Sequence, residues 1–89
     1  MDYDWDEAKR LRTLGERGLD FRDAHHLFDG RLLYSYASPR GGENRVVSVG
    51  LLEGRYIAVV WMERDAARRI ISMRRARDAE ERKYRALFS

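Results

Sequence analysis

The run Arg55 to Glu63, RYIAVVWME, constrains the fold more than any other stretch, because it is apolar on both faces of the strand it predicts. Side chains alternate along a strand, so Tyr56, Ala58, Val60 and Met62 point one way and Ile57, Val59 and Trp61 the other. A strand of this kind lies inside a sheet and must be covered twice. Its neighbours are legible in the chain. Arg45 to Leu52 precedes it across Glu53-Gly54 alone, the length of a tight hairpin turn, and Arg68 to Arg74 follows the turn Asp65-Ala66-Ala67. Leu32 to Tyr36 predicts a further strand, and Ser38-Pro39-Arg40-Gly41-Gly42 has the chemistry of a loop. These strands are expected to be antiparallel neighbours.

Before Gly30 the hydrophobic period is three to four rather than two. Asp2 to Trp5 alternates briefly as an edge strand, and Asp4 or Asp6 can cap a helix from Glu7. In that helix Ala8, Leu11 and Leu14 recur at three-residue spacing, and Gly18 is placed as a left-handed stop. A second helix is expected from Asp20, burying Phe21, Ala24, Leu27 and Phe28 and ending near Gly30. In Asp78-Ala-Glu-Glu81 the Asp can cap while the Glu three residues on reaches back, so a terminal helix is expected from Arg77 to Phe88. The expected fold is α+β: two N-terminal helices packed on a mainly antiparallel four- to five-stranded sheet, with a C-terminal helix. The two N-terminal helices can cover one sheet face. The second face is left to the terminal helix, to a partner chain, or to a groove with aliphatic walls.

Length and composition narrow the function classes. At 89 residues the expectation is a single domain, 1–89, with one modest core. No apolar run approaches the roughly 20 residues of a spanning helix, and Met1 to Asp6 is acidic rather than a basic signal start, so a cytoplasmic protein with no membrane role is expected. There is no cysteine, and the two histidines lack suitable carboxylate spacing, so no cofactor or metal is expected. Any chemistry falls to Arg, Lys, His, Tyr, Ser and carboxylates. Arg64 to Arg85 holds nine cations against four carboxylates, a net +5, while residues 1–63 hold nine against eleven, a net −2. Arginines number 16 and lysines 2, which suits forked recognition of phosphate or carboxylate on a polyanion-facing side.

The chemistry-bearing residues cluster late in the chain. Strict alternation puts Ile70, Ser72 and Arg74 on one face of the last strand and Arg69, Ile71, Met73 and Arg75 on the other. With Ile71 and Met73 turned to the helices, Ser72 and Arg74 look outward, where a phosphodiester would meet a guanidinium able to stabilise transition-state charge. Arg64 is a candidate second clamp. The competing use of these arginines is to solvate a sheet edge. Tyr84 is a candidate proton donor or base-stacking shelf, or else an anchor of the terminal helix beside Leu87 and Phe88. His25 and His26 are adjacent on a helix and diverge by about 100°, so they cannot converge on one phosphate. No helix-turn-helix spacing points to direct DNA binding.

Several segments in order resemble one family. Trp5-Asp6-Glu7 with Lys9 is similar to a W-D-E-x-K opening, and Gly18, Phe21 and Ala24 to a G-x-x-F-x-x-A segment. Arg45 to Gly50, RVVSVG, resembles a strand that starts in Arg and ends in Gly. Most specific are Arg69 to Ala76, RIISMRRA, and the following Glu81-Arg82-Lys83-Tyr84, which resemble an R-I-I-S-x-R-x-A block and an E-R-x-x-Y helix. The pattern is that of the BrnT toxins of bacterial type II toxin–antitoxin systems. The chain departs from it at Thr13, Glu16 and Arg17, where a family histidine is absent, and the helix glutamate matches at either Glu80 or Glu81.

The resemblance implies a RelE-like fold and a metal-independent endoribonuclease that inhibits growth. It also implies a BrnA-type antitoxin, a ribbon-helix-helix DNA-binding protein through which alone operator DNA is contacted. The expected catalytic set is Arg64, Ser72, Arg74, Arg82 and Tyr84, with Lys9, Arg45, Arg69 and Arg75 binding RNA. The rival from another class is a non-catalytic module that grips RNA or an acidic partner.

Overall fold

The computed structural model describes residues 1–40 and 44–89; Gly41 and Gly42 of the expected loop lie outside them. Strand β1 (Asp2–Trp5) leads into helix α1 (Glu7–Arg17), a 3-10 helix (Phe21–Phe28), β2 (Tyr34–Ala37), β3 (Val46–Leu52), β4 (Arg55–Arg64), β5 (Ala67–Arg75) and α2 (Asp78–Phe88). The five strands form one sheet in the order β1-β5-β4-β3-β2. It is mixed rather than wholly antiparallel, because β1 runs parallel to β5 while the other three pairings are antiparallel. Two short turns set the long hairpins. Glu53 and Gly54 both have positive φ, as do Asp65 and Ala66, which is the geometry whose twist matches that of paired strands.

The central strand is β4, covered on both faces as its composition requires. Ile57 and Val59 join Phe21, Ala24, Leu27, Ile70 and Met73 in a core beneath the 3-10 helix. Ala58 joins Val47, Val49 and Tyr84 in a second core, where α2 folds back over the opposite face. The segment expected as an α-helix from Asp20 is a 3-10 helix, and the buried positions explain it. Phe21, Ala24 and Leu27 lie three apart, and a three-residue turn stacks them on one line facing the sheet. Gly50 leaves room for Leu33 and Leu27: a Cβ there would stand 2.7 Å from Leu33 Cδ2 and 3.0 Å from Leu27 Cδ2.

Helix α1 departs further from expectation. Its apolar stripe is turned outward, with Leu11 at 55% and Leu14 at 38% exposure, and its one buried side chain is Arg10. The Arg10 guanidinium donates to Glu7 at 2.5 Å and to both carboxylate oxygens of Asp20 at 3.1 Å. This ion-pair cluster, rather than apolar burial, fixes how α1 is rotated. Thus the first face is covered by the 3-10 helix together with Tyr3 and Trp5 of β1, and α1 contributes to neither core. Arg68 fastens β1 in place, its guanidinium 3.8 Å from the Phe28 ring centre and 4.4 Å from that of Trp61 while donating to the Tyr3 hydroxyl.

The alternation of β5 is broken by a bulge. Val60 pairs with Ser72 and Trp61 with Ile70, which leaves Ile71 as an extra residue. Ile70 and Met73, three apart, therefore both enter the first core, and Ile71 and Ser72 both face the other side. The expectation that Ile71 packs toward the helices with Met73 is corrected by this single inserted residue.

Candidate functional site

The second sheet face is covered only in part by α2. Beyond Tyr84 and Phe88 it opens into a cleft of about 360 Å³, within the size range of ligand-binding sites. Its floor is aliphatic, made by Val47, Val60 and the bulged Ile71. Its walls are cationic: Arg17 from the last turn of α1, Arg40 after β2, Arg45 before β3, Arg74 on β5 and Arg77 before α2. Ser72 and Tyr36 supply hydroxyls. Arg17 is held by donation from Nη1 to the Met73 carbonyl at 3.0 Å, and the Arg45 Nε has no hydrogen-bond partner among the described residues. Three segments that are distant in sequence, at Arg17, at Arg40 and Arg45, and at Arg74 and Arg77, thus bring guanidinium groups to one hollow.

Arg74 is the most rigidly placed of these. Its Nη1 and Nη2 donate to the two oxygens of Glu80 at 2.7 and 3.0 Å, a forked pair. Glu80, 6% exposed, also accepts from the Tyr36 hydroxyl at 2.5 Å and from the Arg77 backbone N–H at 2.8 Å. Glu80 occupies the third helical position and closes the cap on α2, so Glu80 rather than Glu81 is the carboxylate that reaches back, and Arg77 rather than Asp78 is the cap position. Burial would raise the Glu80 pKa, but the hydrogen bonds from Arg74, Arg77 and Tyr36 prevail and hold it at about 2. The Tyr36 phenol moves upward, from burial first and from the adjoining Glu80 second. The Glu80 hydrogen bonds raise the Arg74 pKa, fixing its charge. A carboxylate this acidic is not a proton acceptor at neutral pH; it positions Arg74.

The residues singled out in the sequence are divided by this arrangement. Ser72, Arg74 and Arg45 meet at the cleft. Lys9 lies on α1 along a neighbouring hollow that shares Ser72. Arg64 does not reach the cleft: it pairs with Ala67 at the far end of the hairpin, four residues beyond Val60, on the order of 13 Å along the strand. Arg82 is exposed and lines a shallow hollow with Asp78, Glu81 and Arg85, because two residues past Glu80 the helix has turned about 200°. Tyr84 lies in the second core, edge-on to Tyr56 and Phe88, with its hydroxyl directed to the Leu32 carbonyl.

Arg69 is carried by the bulge to the same face as Ser72, opposite to expectation, where it stands 3.4 Å from Asp4 on the parallel neighbour strand. Arg75 is exposed at the end of β5 and lines none of these hollows. Sequence reading missed Arg17, Tyr36, Arg40, Arg77 and Glu80 as site residues. Only Glu80 carried a signal, as one of the two positions at which the family's helix glutamate could match. Among the described residues no group of three His, Asp or Glu side chains converges as a metal site, and no helix is long and apolar enough to cross a membrane.

These features define a class: a small α+β protein whose mixed sheet carries an arginine-walled cleft suited to a phosphate-bearing ligand. Residues 5–80 match the family described as "Ribonuclease toxin, BrnT, of type II toxin-antitoxin system", and the chain belongs to that family. The match spans every cleft-lining residue and ends at Glu80, before Arg82 and Tyr84. No curated protein matches the chain. Membership makes it a toxin-family protein of ribonuclease type, with an antitoxin as partner.

Proposed function

We propose that this chain is an endoribonuclease that arrests growth by cutting RNA in the arginine cleft, and that a BrnA-type antitoxin neutralises it. The observation that carries the reading is the meeting of Arg17, Arg45, Arg74 and Arg77 around Ser72 over an aliphatic floor. In the proposed step the ribose 2′-oxygen attacks the adjacent phosphorus. A P–O bond to the 2′-oxygen forms and the bond to the 5′-oxygen breaks, while the 2′ proton passes to solvent water and water supplies a proton to the departing 5′-oxygen. The products are a 2′,3′-cyclic phosphate and a 5′-hydroxyl end. Arg74, oriented by Glu80, and Arg45 offset the charge that builds on the non-bridging oxygens, so the step needs no metal. Ser72 positions the phosphate, and the aliphatic floor receives a base or ribose. Arg64, Arg82 and Tyr84 are outside this set because the cleft does not include them.

In the same proposal the antitoxin is a ribbon-helix-helix protein that carries the complex to operator DNA, and the toxin acts in the cytoplasm. The test is expression without antitoxin, followed by growth and by the chemistry of the RNA ends. Wild-type protein is expected to stop growth and leave cyclic phosphate ends. Arg45→Ala and Arg74→Ala are each expected to slow cleavage of purified RNA by about 10²–10³-fold. Wild-type protein that binds RNA with a steep salt dependence yet leaves it intact would overturn the reading in favour of a non-catalytic binding module.

A further inference from the structure

Helix α1 presents the reverse of the usual amphipathic arrangement. Leu11 and Leu14 face solvent, while Lys9, Arg12, Thr13, Glu16 and Arg17 line a second hollow of about 240 Å³ against Ile71 and Ser72 of β5. Positions 9, 12, 13, 16 and 17 recur at helical spacing and so share one side, about 180° from Ala8, Leu11 and Leu14. Hydrophobic burial favours the opposite rotation; the Arg10 ion pair with Asp20 and the Arg17 hydrogen bond to the Met73 carbonyl hold this one. The second hollow adjoins the arginine cleft, because Arg17, Ile71 and Ser72 line both. The bulge that keeps Ile71 out of the first core brings it into the lining that both hollows share.

We infer that the two hollows form one track for single-stranded RNA, in which the cleft takes the scissile phosphate and Lys9 and Arg12 hold a phosphate further along the strand. The inference rests on the proposed ribonuclease reading and extends it to the length of substrate engaged. Three cations against the single carboxylate of Glu16 give the second hollow a net positive charge. The aliphatic Ile71 side chain in the lining that both hollows share suits a strand whose phosphates alternate with bases and sugars. Arg17, pinned to the Met73 carbonyl, serves both subsites.

The track predicts a dependence on RNA length that the cleft alone does not. The probes are 2′-O-methylated oligoribonucleotides of two and eight residues, which lack the nucleophile and survive binding. Wild-type protein is expected to bind the octamer at least tenfold more tightly than the dimer. Lys9→Ala/Arg12→Ala should bring octamer affinity down toward that of the dimer and flatten the salt dependence by about 1.4 in log–log slope, two contacts at about 0.7 each. Glu16→Gln should strengthen octamer binding, a gain that misfolding cannot produce, and Arg12→Lys should keep the wild-type slope. Octamer affinity and slope unchanged in the double variant, in a protein that still binds and cleaves RNA, would overturn the track and leave the proposed function standing. A wild-type protein that binds neither oligomer and cuts no RNA would overturn both.

Discussion

The two faces of the sheet are built from the same strands yet used differently. On the first, Phe21, Leu27, Ile57, Ile70 and Met73 are all essentially inaccessible beneath the 3-10 helix. Ser48, fully buried, accepts from the Trp61 indole N–H at 2.9 Å and shares a hydrogen bond with Ser35 at 2.7 Å. On the second, Tyr84 and Phe88 of α2 seal only the part over Val47, Val49 and Ala58. The remainder is held open by arginines, one of them anchored on a buried carboxylate. The difference shows how 89 residues provide both stability and a site: one face is given to packing, and the other trades part of its burial for fixed positive charge.

The largest effect that would sharpen this contrast is expected from Phe21→Ala. It should lower unfolding free energy by about 3–5 kcal/mol, the range for deleting a buried aromatic ring, and denaturant titration measures it. Phe88→Ala on the half-open face should cost distinctly less; equal losses would break the comparison.

Next in size is Glu80→Ala, which leaves Arg74 without its partner. Because the Arg74 side chain, 19% exposed, can turn to water in the cleft, a loss of about 2–3 kcal/mol is expected, at or below the low end for a broken buried pair. Its pH dependence has a definite sign. Glu80 is more acidic in the folded protein, about 2, than its ordinary 4.5. The stability it adds is complete above about 4.5 and fades as pH falls through about 2. The gap in denaturation midpoint between wild type and Glu80→Gln should therefore be full at pH 7 and narrow from pH 4.5 downward. A gap that stayed constant to pH 2 would show that Glu80 does not carry its charge into that network.

The smallest effect is expected at Leu14→Ser on the outward stripe of α1. Stability should change by less than about 0.5 kcal/mol in thermal or chemical unfolding, since the side chain joins neither core. A loss above about 1 kcal/mol would mean that the leucine stripe, rather than the Arg10 cluster, seats the helix.

Legibility in the sequence followed the range of the physics involved. The two-sided apolar run of β4, the Glu53-Gly54 turn and the Gly18 stop are local rules of alternation and backbone sterics, and each is found where those rules place it. Ser72, Arg74 and Arg45, singled out in the sequence, line the cleft because they lie on or beside strands that local rules place. Arg17, Tyr36 and Arg77 were not singled out, since nothing local says that a helix end, an edge strand and a loop converge.

Residue order by itself determined an α+β chain with a doubly covered central strand and a basic C-terminal third. Only the tertiary structure decided which arginines meet. A one-residue bulge at Ile71 reverses the facing of half a strand without altering its composition, and the rotation of α1 was decided by Arg10 finding Asp20 ten residues away. Hydrophobic period describes the faces that a segment offers; the partners available after folding decide which face is used.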